Sequence, residues 1–148
     1  MRVVVQRSKK SSVSVNNELI SEIDYGLVLL VGFTDGDTKE DIDYIVRKII
    51  NLRIFDDENG VMNKSILDTN GSILSISQFT LYADTKKGNR PSYIKAMNGE
   101  DASILYDLFN SELNKYVPTK TGVFGANMQV NILNDGPITI LLDSKKDW

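Results

Sequence analysis

Hydrophobic and polar positions change period several times along this chain, and each change marks an element. "RVVVQRS" and "SSVSVN" are rich in β-branched residues with partial alternation, and each predicts a strand. "NN" supplies a turn into "ELISEI", a return strand. "GLVLLVGF" at 26–33 is apolar without a break, the pattern of a strand buried on both faces. The period then lengthens. Ile42, Ile45, Val46 and Ile49 fall on one helical face behind Asp37-Thr38-Lys39-Glu40, which has capping-box spacing, so a helix is expected near 38–52. "FDDENG" reads as a tight turn. Alternation returns in "SILSISQFTLYAD", predicted as a strand through about 82, and "TKKGNRPSY" as a basic loop marked by Gly and Pro. From Glu100, helical spacing recurs at Ala102, Leu105, Leu108, Phe109 and Leu113 until Pro118 forbids continuation. "ANMQVNIL" and "ITILLD" are the last two strands, and between them Asn134-Asp135-Gly136-Pro137 has the signature of a hairpin turn. "SKKDW" is a polar tail.

This pattern predicts one compact α/β domain over 1–148, with a mixed, mostly antiparallel sheet or partial barrel and about two helices. A chain of 148 residues is long enough to bury a real core. No repeat, linker or low-complexity segment interrupts it.

Composition sharpens the picture through an absence: there is no histidine and no cysteine. That removes Ser-His-Asp triads, cysteine nucleophiles, thiol redox chemistry and nearly all zinc sites. "FDDENG" and "TDGDTKED" are acidic, but neither has the spacing of a calcium loop, so both are expected as solvated turns and no metal or other cofactor is expected. The longest apolar run is too short to span a bilayer, and "MRVVVQR" lacks a secretory h-region. A cytosolic protein with no membrane contact is the expectation.

Net charge is −3, which does not advertise a nucleic-acid binder. Its distribution is less bland. Arg2, Arg7, Lys9 and Lys10 precede any acid, and Lys86, Lys87, Arg90 and Lys95 lie in a second acid-free stretch. Each reads alone as a solvated face; brought together, the two would hold a phosphate backbone.

Two segments could carry chemistry. "SQFTLYAD" offers Ser77, Gln78 and Thr80 at the end of an apolar strand, either as solvent-facing side chains or as groups converging, with nearby backbone N–H, on a developing oxyanion. Thr80 is an awkward nucleophile because no histidine can take its proton. "NDGPIT" is either a plain turn or a corner whose carbonyls suit an ammonium group. "VVQR", "NLRIF", "SQFTLYAD", "KGNRPS", "GVFGANMQV" and "NDGPIT" stand in the order and spacing of bacterial D-aminoacyl-tRNA deacylases, and the chain resembles that family from Met1 to about Asp143.

The resemblance implies an esterase that removes D-amino acids, and also glycine, from mischarged tRNA. It implies a homodimer with two composite sites, in which the Gly136-Pro137 turn of one subunit, a cis peptide in the family, enters the pocket of the other. Carbonyls of that turn would meet the substrate amino group, and an L side chain would collide with it. Arg7 would support the turn. Ser77, Gln78, Phe79 and Thr80 would line the catalytic pocket, with Phe79 and Thr80 offering N–H groups to the oxyanion. The RNA's own 2′-OH would assist attack by water, a nucleophilic Thr80 being the second possibility. Lys86, Lys87 and Arg90 would contact phosphates of the acceptor end. Phe124 and Met128 read equally as pocket lining and as core. "GPIT" stands where the family more often has "GPVT"; the intact "SQFT" implies the stringent branch. Two other readings stay open beside the enzyme: a module that binds D-amino acids or nucleotides without turnover, and a protein scaffold.

Overall fold

The computed structural model describes residues 1–148. Strands β1 (Arg2–Ser8), β2 (Ser11–Val15), β3 (Glu18–Ile23) and β4 (Gly26–Gly32) open the chain, as their periodicity predicts. Asn16 and Asn17, at φ 50° and 64°, make the β2–β3 turn. Helix α1 (Lys39–Asn51) follows, then the short pair β5 (Phe55–Asp56) and β6 (Met62–Lys64), strand β7 (Ser72–Ser77), helix α2 (Gly99–Asn114), and strands β8 (Thr119–Thr121), β9 (Gln129–Asn131) and β10 (Asn134–Asp143).

The main sheet has the order β10-β1-β4-β7-β8, antiparallel on the β1 side and parallel from β4 to β8. β4 is central, which is why its apolar run has no polar face. On one side, Val3, Val5, Leu27, Leu29 and Ile73 pack against Ile42, Ile45 and Ile49 of α1 and Phe109 and Leu113 of α2. On the other, Val28, Leu74 and Ile76 meet Val13 and Ile23 of the small sheet β3-β2-β9. That small sheet does not extend over the β1–β10 margin, so Leu141 is 54% exposed and Val4 and Gln6 beside it are only partly covered. No helix is long and apolar enough to cross a membrane.

Three expectations shift. "SILSISQFTLYAD" stops being a strand at Ser77 and coils into a 3-10 turn, Phe79–Tyr82. The neighbouring strand β4 ends at Gly32, and β8 pairs only with Ile73–Ser75, so beyond Ser77 no ladder remains to satisfy the backbone. "NDGP" is not a hairpin turn: β9 pairs with β2 and β10 with β1, so the two strands lie in different sheets. The helix cap is Thr38 with Asp41, one residue later than the spacing suggested.

"TDGDTKED" is also not a solvated turn throughout. The Met1 ammonium is buried on Asp37 Oδ1 at 2.7 Å, and Thr34 N–H donates to the other Asp37 oxygen at 2.8 Å. Asp41 accepts from Thr38 N–H at 2.8 Å and pairs with Lys145 at 2.9 Å. The polar tail is thereby tied down. Burial disfavours the Asp41 charge, but bonds from Ser144, Thr38 and Lys145 outweigh it, and the carboxyl is lowered from 3.8 to about 2. A folded value below the unfolded one stabilises fully above about pH 4, and that contribution is lost as pH falls toward 2. Asp41→Asn should therefore cost about 2 kcal/mol at pH 7 and flatten the stability curve between those pH values, read by urea unfolding at each. A wild-type curve equally steep in the variant would show the charge to be idle.

Candidate active site

The ends of β4 and β7 lie side by side, Val31 opposite Ser77, and the Gln78 N–H donates to the Val31 carbonyl at 2.7 Å. The 3-10 turn then folds back across the strand ends. It can do so because residue 32 is glycine: a Cβ there would stand 2.9 Å from the Gln78 carbonyl oxygen and 3.2 Å from Leu81 Cβ. The N–H groups of Phe79 and Thr80 open this turn and have no partner within it, as at any helix start.

Beside the turn is a cavity of about 520 Å³. Its walls come from the end of β4 (Val31, Gly32, Phe33), from Ile76 to Phe79, from Met97, Gly99 and Ala102 at the head of α2, and from Phe124 to Met128 with Val130. Ser77, Gln78, Phe79, Phe124 and Met128, all singled out in the sequence, line it together. Phe124 and Met128 are wall and core at once: Phe124 packs on the helix-side core and tilts against Tyr106 at 5.7 Å, while Met128 packs on the small-sheet core. Thr80 stands just behind the lining, where its hydroxyl accepts from Gln78 Nε2 at 2.5 Å. Every lining residue is neutral, and none of the sixteen carries a side chain that titrates between acid and base.

Met97, Ala102 and Asn127 also line the cavity. Ala102 was legible only as a helix-core residue, and Met97 lies in a loop without a pattern. Asn127 sits inside "GVFGANM", so its motif was the available signal.

Gly136 and Pro137 do not reach this cavity. β10 runs antiparallel to β1, and Ser8, Asn134 and Gly26 share one end of the sheet, while Arg2, Gly32 and Ser77 share the other. Six residues of strand separate the ends, about 20 Å. Between the pairs Gln6–Thr139 and Ser8–Asn134, four residues of β10, Asp135 to Ile138, bulge outward from the pairing. The Gly136–Pro137 peptide is cis, and both residues are exposed. Asn134 braces the bulge by accepting from Ile138 N–H at 3.2 Å and donating to Thr139 Oγ1 at 3.0 Å. Arg7, nearly buried, donates to the carbonyls of Asp135 at 3.2 Å and Ile54 at 3.0 Å, with the Asp56 and Asp135 carboxylates at 3.4 and 3.5 Å.

The two basic clusters do not merge. Arg2 is held by Asp143 and the Leu81 carbonyl, under the Tyr82 and Trp148 rings, and Arg7 lies under the bulge at the far end of β1. Lys86, Lys87 and Arg90 are exposed on the loop from Asp84 to Ala96. That loop closes on the cavity: Thr34 bridges Ala96, Met97 N–H donates to the Phe33 carbonyl at 3.0 Å, and Tyr93 meets Phe79 edge-on at 5.0 Å.

A family model described as D-Tyr-tRNA(Tyr) deacylase matches residues 4–143. A solved structure described as c-Myc DNA Unwinding Element Binding Protein is 46% identical, covers 97% of this chain and 98% of its own, and superposes with a TM-score of 0.92. A second, described as a probable eukaryotic D-amino acid tRNA deacylase, shares the fold at a TM-score of 0.81 over 95% of this chain and 97% of its own, with 18% identity.

Proposed function

Because this chain belongs to the D-Tyr-tRNA(Tyr) deacylase family, hydrolases of the D-aminoacyl-tRNA ester, we propose that its neutral cavity takes the esterified 3′ end of tRNA and that the RNA supplies the reactive hydroxyl. The carrying observation is the lining: with no titrating side chain present, no wall residue can serve as general base. Ser77 and Gln78 orient the ester, and the Phe79 and Thr80 N–H groups receive the developing oxyanion; preorganised donors in an apolar wall are effective because they need no rearrangement.

Handedness is judged by Gly136 and Pro137 of a second copy. Two features support this. The bulge lies about 20 Å from the cavity of its own chain, and it adjoins the uncovered Val4–Gln6–Leu141 margin on which a second copy would sit. Carbonyls of the bulge receive the substrate ammonium, an L side chain is refused by the rigid corner, and glycine passes because it has no side chain to refuse. Arg7 holds the Asp135 carbonyl, so it sets the direction of the corner. Lys86, Lys87 and Arg90 steady the acceptor end through phosphates, adding affinity that weakens with salt.

Purified protein incubated with D-Tyr-tRNA and L-Tyr-tRNA should release only the D-amino acid, and glycyl-tRNA should also be cleaved. Retention of intact D-Tyr-tRNA by a protein that binds it would instead support a binding module, and equal loss of both esters would remove the chiral corner.

A further inference from the structure

We propose that Tyr93, set edge-on against Phe79 at the cavity mouth, and the exposed Ile94 next to it in the chain form a stacking platform for the second nucleotide of the tRNA 3′ end, the unpaired residue next to the esterified one. This rests on the cavity taking the esterified nucleoside. Phe79 is 55% exposed and Ile94 85%, and Tyr93, also exposed, meets Phe79 edge-on. Single exposed apolar side chains are common, but neighbouring ones grouped beside a cavity mark a binding surface.

The loop that carries them is held through its backbone. Asp84 and Ser92 exchange two backbone hydrogen bonds at 2.8 and 2.9 Å, and Ala96 N–H donates to the Tyr93 carbonyl at 3.0 Å. Thr34 Oγ1 donates to the Lys95 carbonyl at 2.5 Å. Tyr93 and Ile94 thus ride on a turn pinned on both sides through its backbone, with the exposed parts of their side chains open to a ligand.

The surrounding charge selects a nucleic acid over a second apolar protein surface. Lys86, Lys87 and Arg90 are exposed on the same loop, a few residues before Tyr93. The acid at its base, Asp84, already accepts from the Lys86 N–H at 2.9 Å and pairs with Lys95 at 3.5 Å. An aromatic ring beside a cationic strip holds a single strand by base stacking and phosphate contact, with little preference among bases. That tolerance suits a 3′ end shared by different tRNAs.

The test compares three D-tyrosyl esters: on adenosine, on the dinucleotide cytidylyl-adenosine, and on the same dinucleotide with its first residue abasic. The dinucleotide should be cleaved with kcat/KM about ten-fold above the nucleoside, mainly through KM. The abasic version should lose most of that advantage. The double variant Tyr93→Ala, Ile94→Ser should bring the dinucleotide-to-nucleoside ratio close to one, and Tyr93→Phe should preserve it. Equal wild-type rates on nucleoside and dinucleotide would overturn the platform, as would an abasic ester that keeps the full advantage, which would mean phosphate contact alone. A change of sedimentation mass in the double variant would assign the patch to a second copy of the chain and overturn it too. Failure of the wild type on D-Tyr-tRNA would instead strike the underlying function, before any variant is made.

Discussion

D-Tyr-tRNA whose terminal ribose lacks the 2′-hydroxyl should be hydrolysed at least about a hundred-fold more slowly than the natural ester, because proton transfer by a positioned group is worth about 10²–10⁴ in rate. The cavity holds Ser77, Gln78 and Asn127 as its polar side chains and no titrating group, so a lost substrate hydroxyl has no replacement in the wall. Thr80 does not offer one. Its hydroxyl accepts from the Gln78 amide and is not paired with a carboxylate or amine that could take its proton. Thr80→Ala should accordingly keep activity within about ten-fold of wild type, a loss on the scale of one hydrogen bond. Single-turnover release of D-tyrosine measures both. An unaffected rate on the deoxy ester sinks RNA assistance. Abolished turnover in Thr80→Ala, with substrate still bound, would restore a covalent route through threonine.

Gly136→Ala should erode discrimination between D and L esters by about ten-fold or more while leaving the fold in place. Residue 136 has φ +129°, and a Cβ there would come within 2.8 Å of Ile138 Cγ1 and 3.0 Å of the Ile138 nitrogen. The backbone nitrogen cannot rotate away as a side chain would, so the bulge itself must move, and the Ile138 N–H bond to Asn134 moves with it. Strain of this kind is worth about 1–3 kcal/mol, enough to swing the corner or to raise the population of other arrangements. The matched control is Gly60→Ala. It has φ +75° with nothing within 4 Å, so its substitution is strained by φ alone, and it lies in the "FDDENG" turn rather than on β10. Both variants should lose some thermal stability, but only Gly136→Ala should begin to release L-tyrosine from L-Tyr-tRNA. Unchanged selectivity in a folded Gly136→Ala would separate the bulge from chirality.

How far the sequence could be read depends on the range of the interactions concerned. The buried strand β4, the Asn16-Asn17 turn and both helices follow from local period and turn chemistry, since each is set by neighbours a few residues away. Thr38, not Asp37, caps α1, because Asp37 is engaged by the Met1 ammonium and the Thr34 N–H, partners that spacing does not reveal. "SILSISQFTLYAD" looked like one strand because its composition continues past Ser77. Its ladder partners do not continue, and the backbone took the 3-10 turn that shapes the cavity.

Motif content alone was enough to single out Ser77, Gln78, Phe79, Gly136 and Pro137 as candidates, to exclude histidine and cysteine chemistry, and to place the chain among D-aminoacyl-tRNA deacylases. It could not say that the first three face a cavity without a titrating wall, that Arg7 lies beneath the bulge and apart from Lys86, or that the bulge and the cavity stand at opposite ends of the sheet. Those facts depend on register, strand direction and which strand pairs with which. They arise from contacts between residues from about forty to more than a hundred positions apart, for which local pattern carries no information.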